Sequence, residues 1–372
     1  MKNYKELFEK FCQQSRMSGT DFNQEISSFL TIELKKMGYI VEQQEHPFVG
    51  WELLEKPILN LTSPINHQAE CIAMVRSGST DGKQIKGKIL SFFSTMKTFE
   101  AYDFQKFSIV DDNNKVIGVI LTRPDMVWAQ PIDEIGEHLP HIIVDRETCG
   151  MINQFIASNQ EVLIDFSITT KYLPNKKITN VIAKKSKDSN LIVSAHYDSF
   201  YNTVGAHDNA SGAISLLSLA NKFKNNDNIN PTFCFFDAEE WNKLGAYSFV
   251  NISDNINSID LQINIDSVGV PDSLYMLTNP KIESIIQKNV SKLSTDISID
   301  VNSKKELPQF DIWPFMQKGI NVIQIGSRSE TNPFKYWHSE KDNLDNIDYI
   351  FLEKTVDVLE EFILSLSIKE IK

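Results

Sequence analysis

The sequence predicts an α/β protein with a second, smaller domain. Two observations support this class. After residue 179, strand-like and helix-like segments alternate, which is typical of a β-sheet that carries helices on its faces. Between residues 53 and 166, short β-like runs follow one another with turns between them, which indicates a separate β-rich or α/β domain. The chain has 372 residues, enough for about two domains of roughly 150 residues each.

The N-terminal segment predicts an amphipathic helix and then a strand. Apolar residues between 20 and 37 recur at mostly helical spacing, and Gly38 follows as a stop signal. Residues 39–48 have the pattern of a strand that ends before Gly50. A signal peptide needs an apolar core, whereas the opening MKNYKELFEKFCQQSRMSGT is charged throughout. We therefore expect a cytoplasmic protein.

The middle segment has no pattern of catalytic or ligating residues. Its β-like runs are CIAMV, GKILSFF, VIGVILT, HIIVD and EVLIDFSI, and a short helical segment at about 148–157 precedes the last run. His67, His138 and His141 are scattered through it, with no acid-base cluster beside them. We expect them to be ordinary surface or core histidines.

The C-terminal half carries the alternating pattern. We predict strands at 180–183, 191–195, 232–236, 263–265, 273–277 and 322–325, and helices at 210–223, 241–250 and 350–367. In sheets of this kind, functional side chains gather at the carboxyl ends of the strands.

Composition argues against several classes of protein. Lys and Arg number 37 against 49 Asp and Glu, which gives a formal net charge of -12. Such a chain is a poor nucleic-acid or anionic-membrane binder, because phosphate contacts need clustered Lys and Arg. No run approaches ~18 consecutive apolar residues, so we expect no membrane span. The four cysteines lie far apart without a C-x-x-C pair, which favours isolated thiols.

Several predicted strands are followed by residues that bind metals. The segments are HYDS (196–199), GAHDNASG (205–212), DAEEW (237–241), DS (266–267) and YWHSEKD (336–342). A hydrolytic site with two metal ions needs His and carboxylate ligands, one of which bridges ions about 3.5–4 Å apart. It also needs an unliganded carboxylate that accepts a proton from water. These residue types suit zinc or a similar divalent ion.

In this order, HYDS, GAHDNASG, FFDAEEWNKLGAYSF, NIDSVG and YWHSEKDNL resemble the zinc aminopeptidases of family M28. SRMSGT with GYIVEQQEHPF resembles the family's opening helix and strand, and ITNVIAKK its entry into the catalytic core. The resemblance covers about 1–50 and 170–372. It implies a zinc-exopeptidase fold, a mixed central sheet with helices on both faces, formed by residues 1–52 and 168–372.

The resemblance also implies a role for each matching residue. The metal ligands would be His196, Asp208, Glu240, Asp266 and His338, with Asp208 bridging two Zn²⁺ per chain; Co²⁺ or Mn²⁺ are alternatives. Glu239 matches the general base, and Asp198 matches the carboxylate behind His196. Asp311, in LPQFDIWPFMQKGI, matches a stretch that supports the site or contacts substrate. Because Glu239 and Glu240 are adjacent, they cannot both face one metal equally, which agrees with one ligand and one base.

Residues 53–167 resemble the protease-associated (PA) domain that is inserted in many such peptidases. The match follows the order of the runs GKIL, VIGVILT, HLPHIIVDRETCGMI and EVLIDFSI. Such domains usually cover the substrate cleft or contribute oligomer contacts, so a homo-oligomer is one expectation. The whole resemblance implies an aminopeptidase whose substrates are peptides with a free N-terminus.

Departures from the family pattern leave alternatives open. Many relatives have Tyr where Trp337 precedes the last ligand. This Trp-His pair resembles the glutaminyl cyclases of the same superfamily, which use a single zinc ion. His207 stands where the family usually has a small or polar residue. A carboxypeptidase would need a basic residue for the free carboxylate, for which Arg328 is the nearest candidate. A non-catalytic binding protein of this fold would typically lack ligands that this sequence keeps.

Overall fold

A computed structural model describes residues 4–98, 102–122, 139–185, 189–226, 229–329 and 336–371. Its contacts divide the chain into a larger unit, Met1–Phe48 with Lys177–Lys372, and a smaller unit, Val49–Lys176. The sequence analysis places the domain boundaries at 52/53 and 167/168. In the structure the divisions fall inside two long strands, where no loop composition marks them.

The helices and strands are numbered here in chain order. The helices are α1 Tyr4–Phe11, α2 Asp21–Lys36, α3 Arg146–Ala157, α4 Gly212–Phe223, α5 Leu244–Ile252, α6 Glu283–Val290, α7 Trp313–Gln317, α8 Tyr349–Ser365 and α9 Ile368–Ile371. The strands are β1 Ile40–Ser63, β2 His67–Gln68, β3 Cys71–Ala73, β4 Ile85–Thr98, β5 Tyr102–Val110, β6 Val116–Thr122, β7 His141–Val144, β8 Leu163–Lys184, β9 Leu191–His196, β10 Thr232–Phe236, β11 Leu261–Ile265, β12 Ser273–Thr278, β13 Ser298–Ser303 and β14 Asn321–Arg328. None of the helices in the described ranges has both the length and the apolar composition that crossing a bilayer requires.

The sheet of the larger unit is mixed, as predicted. Its strand order is β13-β12-β14-β11-β9-β10-β8. The four strands β14, β11, β9 and β10 are parallel to one another, whereas β12 is antiparallel to β14 and β8 is antiparallel to β10. Because parallel strands end at the same edge, the polar segments that follow β9, β10, β11 and β14 are brought to one edge of this sheet.

Helices cover both faces of this sheet. Alternate residues of β9 and β10 point to opposite faces. Val193 and Phe235 join a buried cluster with side chains of α1, α2, α4, α6 and α8. Ile192 and Phe236 join a second cluster with side chains of α5 and α7. The predicted α/β class with helices on both faces is therefore confirmed.

Several predicted elements differ in length from those observed. β1 continues past Gly50 to Ser63, and beyond the glycine the buried Trp51 donates from Nε1 to the carbonyl of Ser77. The predicted strands at EVLIDFSI and 180–183 are one strand, β8, because the mostly polar residues between them hide its continuity. α5 begins at Leu244 rather than 241, since the residues at 242 and 243 both have φ of 60°.

The predicted helix at 210–223 begins as a different structure. A π-helical turn, Ala206–Ser211, precedes α4, and Asp208 and Asn209 within it have non-helical dihedral angles. The sequence patterns do not predict α1, α6, α7, α9, β2, β5 or β13. Helix α2 is confirmed; Thr20 caps its N-terminus by accepting from the backbone N–H of Asn23.

The smaller unit contains the predicted runs as β3, β4, β6, β7 and the first part of β8. Its strands pair in the order β8-β4-β5-β6-β7-β3. His67 Nε2 lies 2.9 Å from Thr148 Oγ1, and His141 Nδ1 lies 2.7 Å from the carbonyl of Leu139. His138 lies outside the described residues. The four cysteines are buried and unpaired, as predicted, and the PA resemblance stays a prediction.

Arg16 anchors the segment between α1 and α2 to the rest of the larger unit. Its side chain is fully buried. The guanidinium donates to the carbonyl groups of Tyr197 at 2.7 Å, Phe11 at 3.0 Å and Gly205 at 2.8 Å, and also to that of Val204. These contacts hold the loop that leads from β9 into the π-helical turn.

We expect Arg16→Met to destabilise the larger unit, because it removes a donor from several buried carbonyl groups. Each unsatisfied buried group costs about 1–3 kcal/mol, so the free energy of unfolding should fall by about 3 kcal/mol or more. Urea unfolding followed by tryptophan fluorescence measures this change. The matched control is Arg146→Met at an exposed position of α3, which should stay within ~0.5 kcal/mol of wild type. An equally small change at Arg16 would contradict this role.

Candidate metal centre

The five predicted ligands follow the carboxyl ends of the parallel strands in the larger unit. His196 is the last residue of β9, and Asp266 directly follows β11. Glu240 lies four residues beyond β10, Asp208 belongs to the π-helical turn, and His338 lies between β14 and α8. The topology thus brings together side chains that are up to 142 positions apart in the sequence.

These side chains form two groups of three that share one carboxylate. The first group is His196, Asp208 and Asp266, and the second is Asp208, Glu240 and His338. Nε2 of His196 lies 3.2 Å from Asp208 Oδ1 and 3.5 Å from Asp266 Oδ1. Nε2 of His338 lies 3.2 Å from both Asp208 Oδ2 and Glu240 Oε2. Each oxygen of Asp208 therefore faces a different group.

The spacing of these atoms fits the coordination of a divalent ion. A tetrahedral zinc ion with bonds of about 2.0–2.1 Å separates its ligand atoms by about 3.3 Å, close to the observed distances. Both ring nitrogens of His196 and Oε1 of Glu240 are buried, and none makes a hydrogen bond of good geometry within the described ranges. The donor set of imidazole and carboxylate also suits zinc. Both groups could hold such an ion.

The carboxylates and imidazoles of the site stabilise one another's charged forms. Burial alone would raise the pKa of Asp208, but His196 and His338 lower it far below its usual range. Burial would lower the pKa of the two imidazoles. Asp198, Asp208 and Asp266 instead raise the pKa of His196 well above its ordinary value, and Glu240 and Asp208 raise that of His338 to about 10. We therefore expect both histidines to be protonated near neutral pH when no metal is bound.

Asp198 lies beside His196, on the side of its Nδ1 atom. It is fully buried, and its Oδ1 lies 3.3 Å from Nδ1 of His196. It also accepts the backbone N–H groups of Glu239 at 3.1 Å and Glu240 at 3.2 Å. The hydroxyl oxygen of Ser18 lies 3.2 Å from its Oδ2. A carboxylate at Nδ1 leaves Nε2 of His196 directed at the centre of the site.

Glu239 lies beside the centre but belongs to neither group of three. Its side chain is partly buried. Burial raises its pKa well above the usual range, and the charges of Glu240 and Asp311 raise it further against the influence of His196. An adjacent carboxylate that stays outside the ligand sets has the position that a base needs.

Asp311 and Trp337 also lie near these residues. Asp311 is fully buried, and neither of its oxygens has a hydrogen-bond partner within the described part of the chain. Burial raises its pKa to about 7; Asp198 and Asp266 add to this, and His196 opposes it. The ring of Trp337 lies 6.4 Å from that of the buried His207. The indole is thus close to the turn that carries Asp208.

Two buried carboxylates of the site were missed from the sequence. Asp342 accepts the backbone N–H of His207 at 2.6 Å and that of Asp208 at 3.0 Å. Asp237 accepts from Ser18 at 2.8 Å, and from Asn23 and the Thr179 amide at 3.0 Å each. Asp237 stands in the segment DAEEW and Asp342 in YWHSEKD. Their closeness in sequence to the proposed ligands is the feature that could have predicted a place in the site.

Comparison with known proteins identifies peptidases that are similar to this chain. The model of peptidase family M28 matches residues 178–363, half of the chain. A vacuolar membrane protease of Candida glabrata is 28% identical over 179 residues, 46% of this chain and 18% of its own length. Leucine aminopeptidase 2 of Trichophyton equinum is 24% identical over 314 residues, 74% of this chain and 62% of its own length. The chain therefore spans less than two thirds of either relative.

Solved structures share the fold. The zinc aminopeptidase BSAP from Bacillus subtilis superposes with a TM-score of 0.71 at 18% identity, covering 97% of this chain and 94% of its own. Glutaminyl cyclase from Porphyromonas gingivalis superposes with a TM-score of 0.55 at 14% identity, covering 97% and 96%. At these identities the likeness shows the fold alone. Because the family model spans half of the chain, the chain belongs to peptidase family M28.

Proposed function

We propose that this protein is an aminopeptidase that hydrolyses the N-terminal residue from peptides through two divalent metal ions and Glu239. The observation that carries the proposal is the carboxylate of Asp208, whose two oxygens face two separate groups of three ligands. The printed names of the similar proteins, leucine aminopeptidase 2 and a zinc aminopeptidase, support this reaction class. Zinc is the ion that we propose, with cobalt or manganese as substitutes.

The residues divide the chemistry among them. His196, Asp208 and Asp266 would hold one ion, and Asp208, Glu240 and His338 the other. When bound, the ions supply Lewis acidity toward water and the scissile carbonyl, and positive charge for the developing oxyanion. Glu239 takes a proton from the attacking water and returns it to the leaving amine. Asp198 keeps the proton of His196 on Nδ1, so that Nε2 remains a ligand.

A glutaminyl cyclase-like transferase is the second candidate. The observations that favour it are the Trp337–His338 pair and the shared fold of a glutaminyl cyclase. Such an enzyme needs one zinc ion. The second group of three, which contains His338, would suffice for it, but His196, Asp266 and the other oxygen of Asp208 would then have no ion between them.

We expect Glu239→Gln to lower kcat by about 10²–10⁴-fold, because it removes the general base and keeps the shape of the side chain. Metal content should stay at the wild-type value. The measurement is hydrolysis of leucyl p-nitroanilide, and the control is Glu353→Gln at an exposed position of α8. Turnover near the wild-type rate would show that the base is misassigned. Hydrolysis of N-acetylated peptides instead would indicate a carboxypeptidase.

We expect two metal ions per chain. Glu240→Ala changes one group only and should leave about one ion, whereas Asp208→Ala changes both groups and should leave less than one. Elemental analysis after dialysis counts the ions. Exhaustive chelation should abolish hydrolysis, because both ions serve the reaction. One ion per wild-type chain, together with pyroglutamate formation from Gln peptides, would establish the cyclase alternative.

We expect zinc affinity to rise with pH. The raised pKa values of His196 and His338 mean that the metal-free site holds protons near neutrality, and binding must displace them. Each displaced proton weakens apparent binding about tenfold per pH unit. Zinc should therefore bind at least ~100-fold more weakly at pH 6 than at pH 8. Competition with a chromophoric chelator, corrected for its own protonation, measures this; an affinity independent of pH would contradict it.

A further inference from the structure

Three neighbouring strands bring Asp266, Gly326 and Tyr275 into one row across the sheet. β11 and β14 are parallel, with Ile265 opposite Ile325, so Asp266 is level with Gly326. On the other side of β14, Tyr275 of β12 is directly opposite Gly326. The glycine thus lies between a residue of the first ligand group and a tyrosine.

Because Gly326 has no side chain, the phenol ring of Tyr275 can pack directly against the backbone at this position. A Cβ atom at this position would lie 2.4 Å from both Cζ and Oη of Tyr275. The hydroxyl end of the ring therefore occupies the space over β14, on the side of Asp266. Tyr275 is 5% exposed. Burial raises its pKa, and the charges of Asp266 and Asp208 raise it further. Its hydroxyl makes no hydrogen bond with any residue in the described ranges.

Arg328 packs against the ring of Tyr275. It stands two residues beyond Gly326 and therefore on the same face of β14. Its guanidinium carbon lies 4.7 Å from the centre of the Tyr275 ring. The residue is partly exposed, and no carboxylate of the described residues forms an ion pair with it. The pair offers the guanidinium donors and one phenolic donor to whatever enters beside Asp266.

We propose that Tyr275 and Arg328 bind a carboxylate of the substrate next to the first ligand group. This inference rests on the aminopeptidase function proposed above. The other charged groups at this position, Asp208 and Asp266, offer oxygens that are ligands for metal. A pair of donors, one of them cationic, selects an acceptor of negative charge. The carboxylate comes either from an N-terminal Asp or Glu side chain or from the free C-terminus of a dipeptide.

Lys243 is another cation close to the site. Its charge lowers the pKa of both Glu239 and Asp311, so this amine is near the proposed base. It is partly buried at the start of α5. Lys243 is therefore the alternative cation that could bind the substrate carboxylate, and a Lys243 variant is included in the experiment.

The test uses matched substrates that differ by one charge. Aspartyl and asparaginyl p-nitroanilides form one pair, and Leu-Gly and Leu-Gly-amide form the other. For the metal-loaded wild-type protein, we expect kcat/KM to favour the carboxylate member of at least one pair by about tenfold or more. The pair that shows the preference identifies the source of the carboxylate. Arg328→Met should reduce that ratio by about 10–100-fold.

Further variants separate the contributions. Tyr275→Phe keeps the stacked ring and removes only the hydroxyl, so the ratio should fall by a smaller factor of about 3–10. Arg328→Lys keeps the charge without the planar fork and should retain part of the preference. Lys243→Met should leave the ratio near wild type. Arg146→Met controls for loss of an exposed arginine, and thermal melting confirms that each variant is folded.

The outcomes are distinct. Equal kcat/KM within both wild-type pairs, a ratio that Arg328→Met does not change, or a ratio that only Lys243→Met removes would each overturn the carboxylate site. In those cases the neutral substrates are still hydrolysed and the aminopeptidase function stands. If the metal-loaded protein hydrolyses none of the four substrates, the proposed function itself fails and this inference fails with it.

Discussion

The carboxylate of Asp208 is the constraint on which the rest of the proposed metal centre depends, because each of its oxygens faces a different group of candidate ligands. The turn that carries it departs from regular helix at Asp208 and Asn209. Asp342 binds the amide of Asp208, and the Asn209 side chain donates to the carbonyl of Ile265 at 3.0 Å. Arg16 holds the preceding loop through Gly205. The turn is therefore anchored from three separate parts of the chain.

Much negative charge is buried around Asp208 at one edge of the sheet. Asp198, Asp237, Asp311 and Asp342 are all fully buried around the ligands. Burial raises the pKa of the last three to about 7. Two divalent ions would supply four positive charges at this place. Part of the formal net charge of -12 is therefore concentrated around the proposed metal centre.

Much of this could be predicted because ligand types and their order are local features of sequence. The five proposed ligands follow strand ends, so their clustering follows from parallel topology once the strands are recognised. Other contacts depend on pairing between distant segments. Arg16 is read from sequence as a charged residue in a loop, yet it is fully buried. Tyr275 and Gly326 meet only because β12 runs antiparallel to β14, and nothing in either strand alone indicates that register.

The adjacent glutamates show how backbone shape separates two chemical roles. Ala238 has φ of 59°, a left-handed conformation that costs an L-residue about 1–2 kcal/mol. It directs the next two amide groups to the same acceptor, Asp198. With both amides held there, the side chain of Glu240 joins the second ligand group and that of Glu239 remains outside both. Since Asp198 also contacts Nδ1 of His196, one buried carboxylate would orient a proposed ligand and keep the proposed base apart from the other proposed ligands.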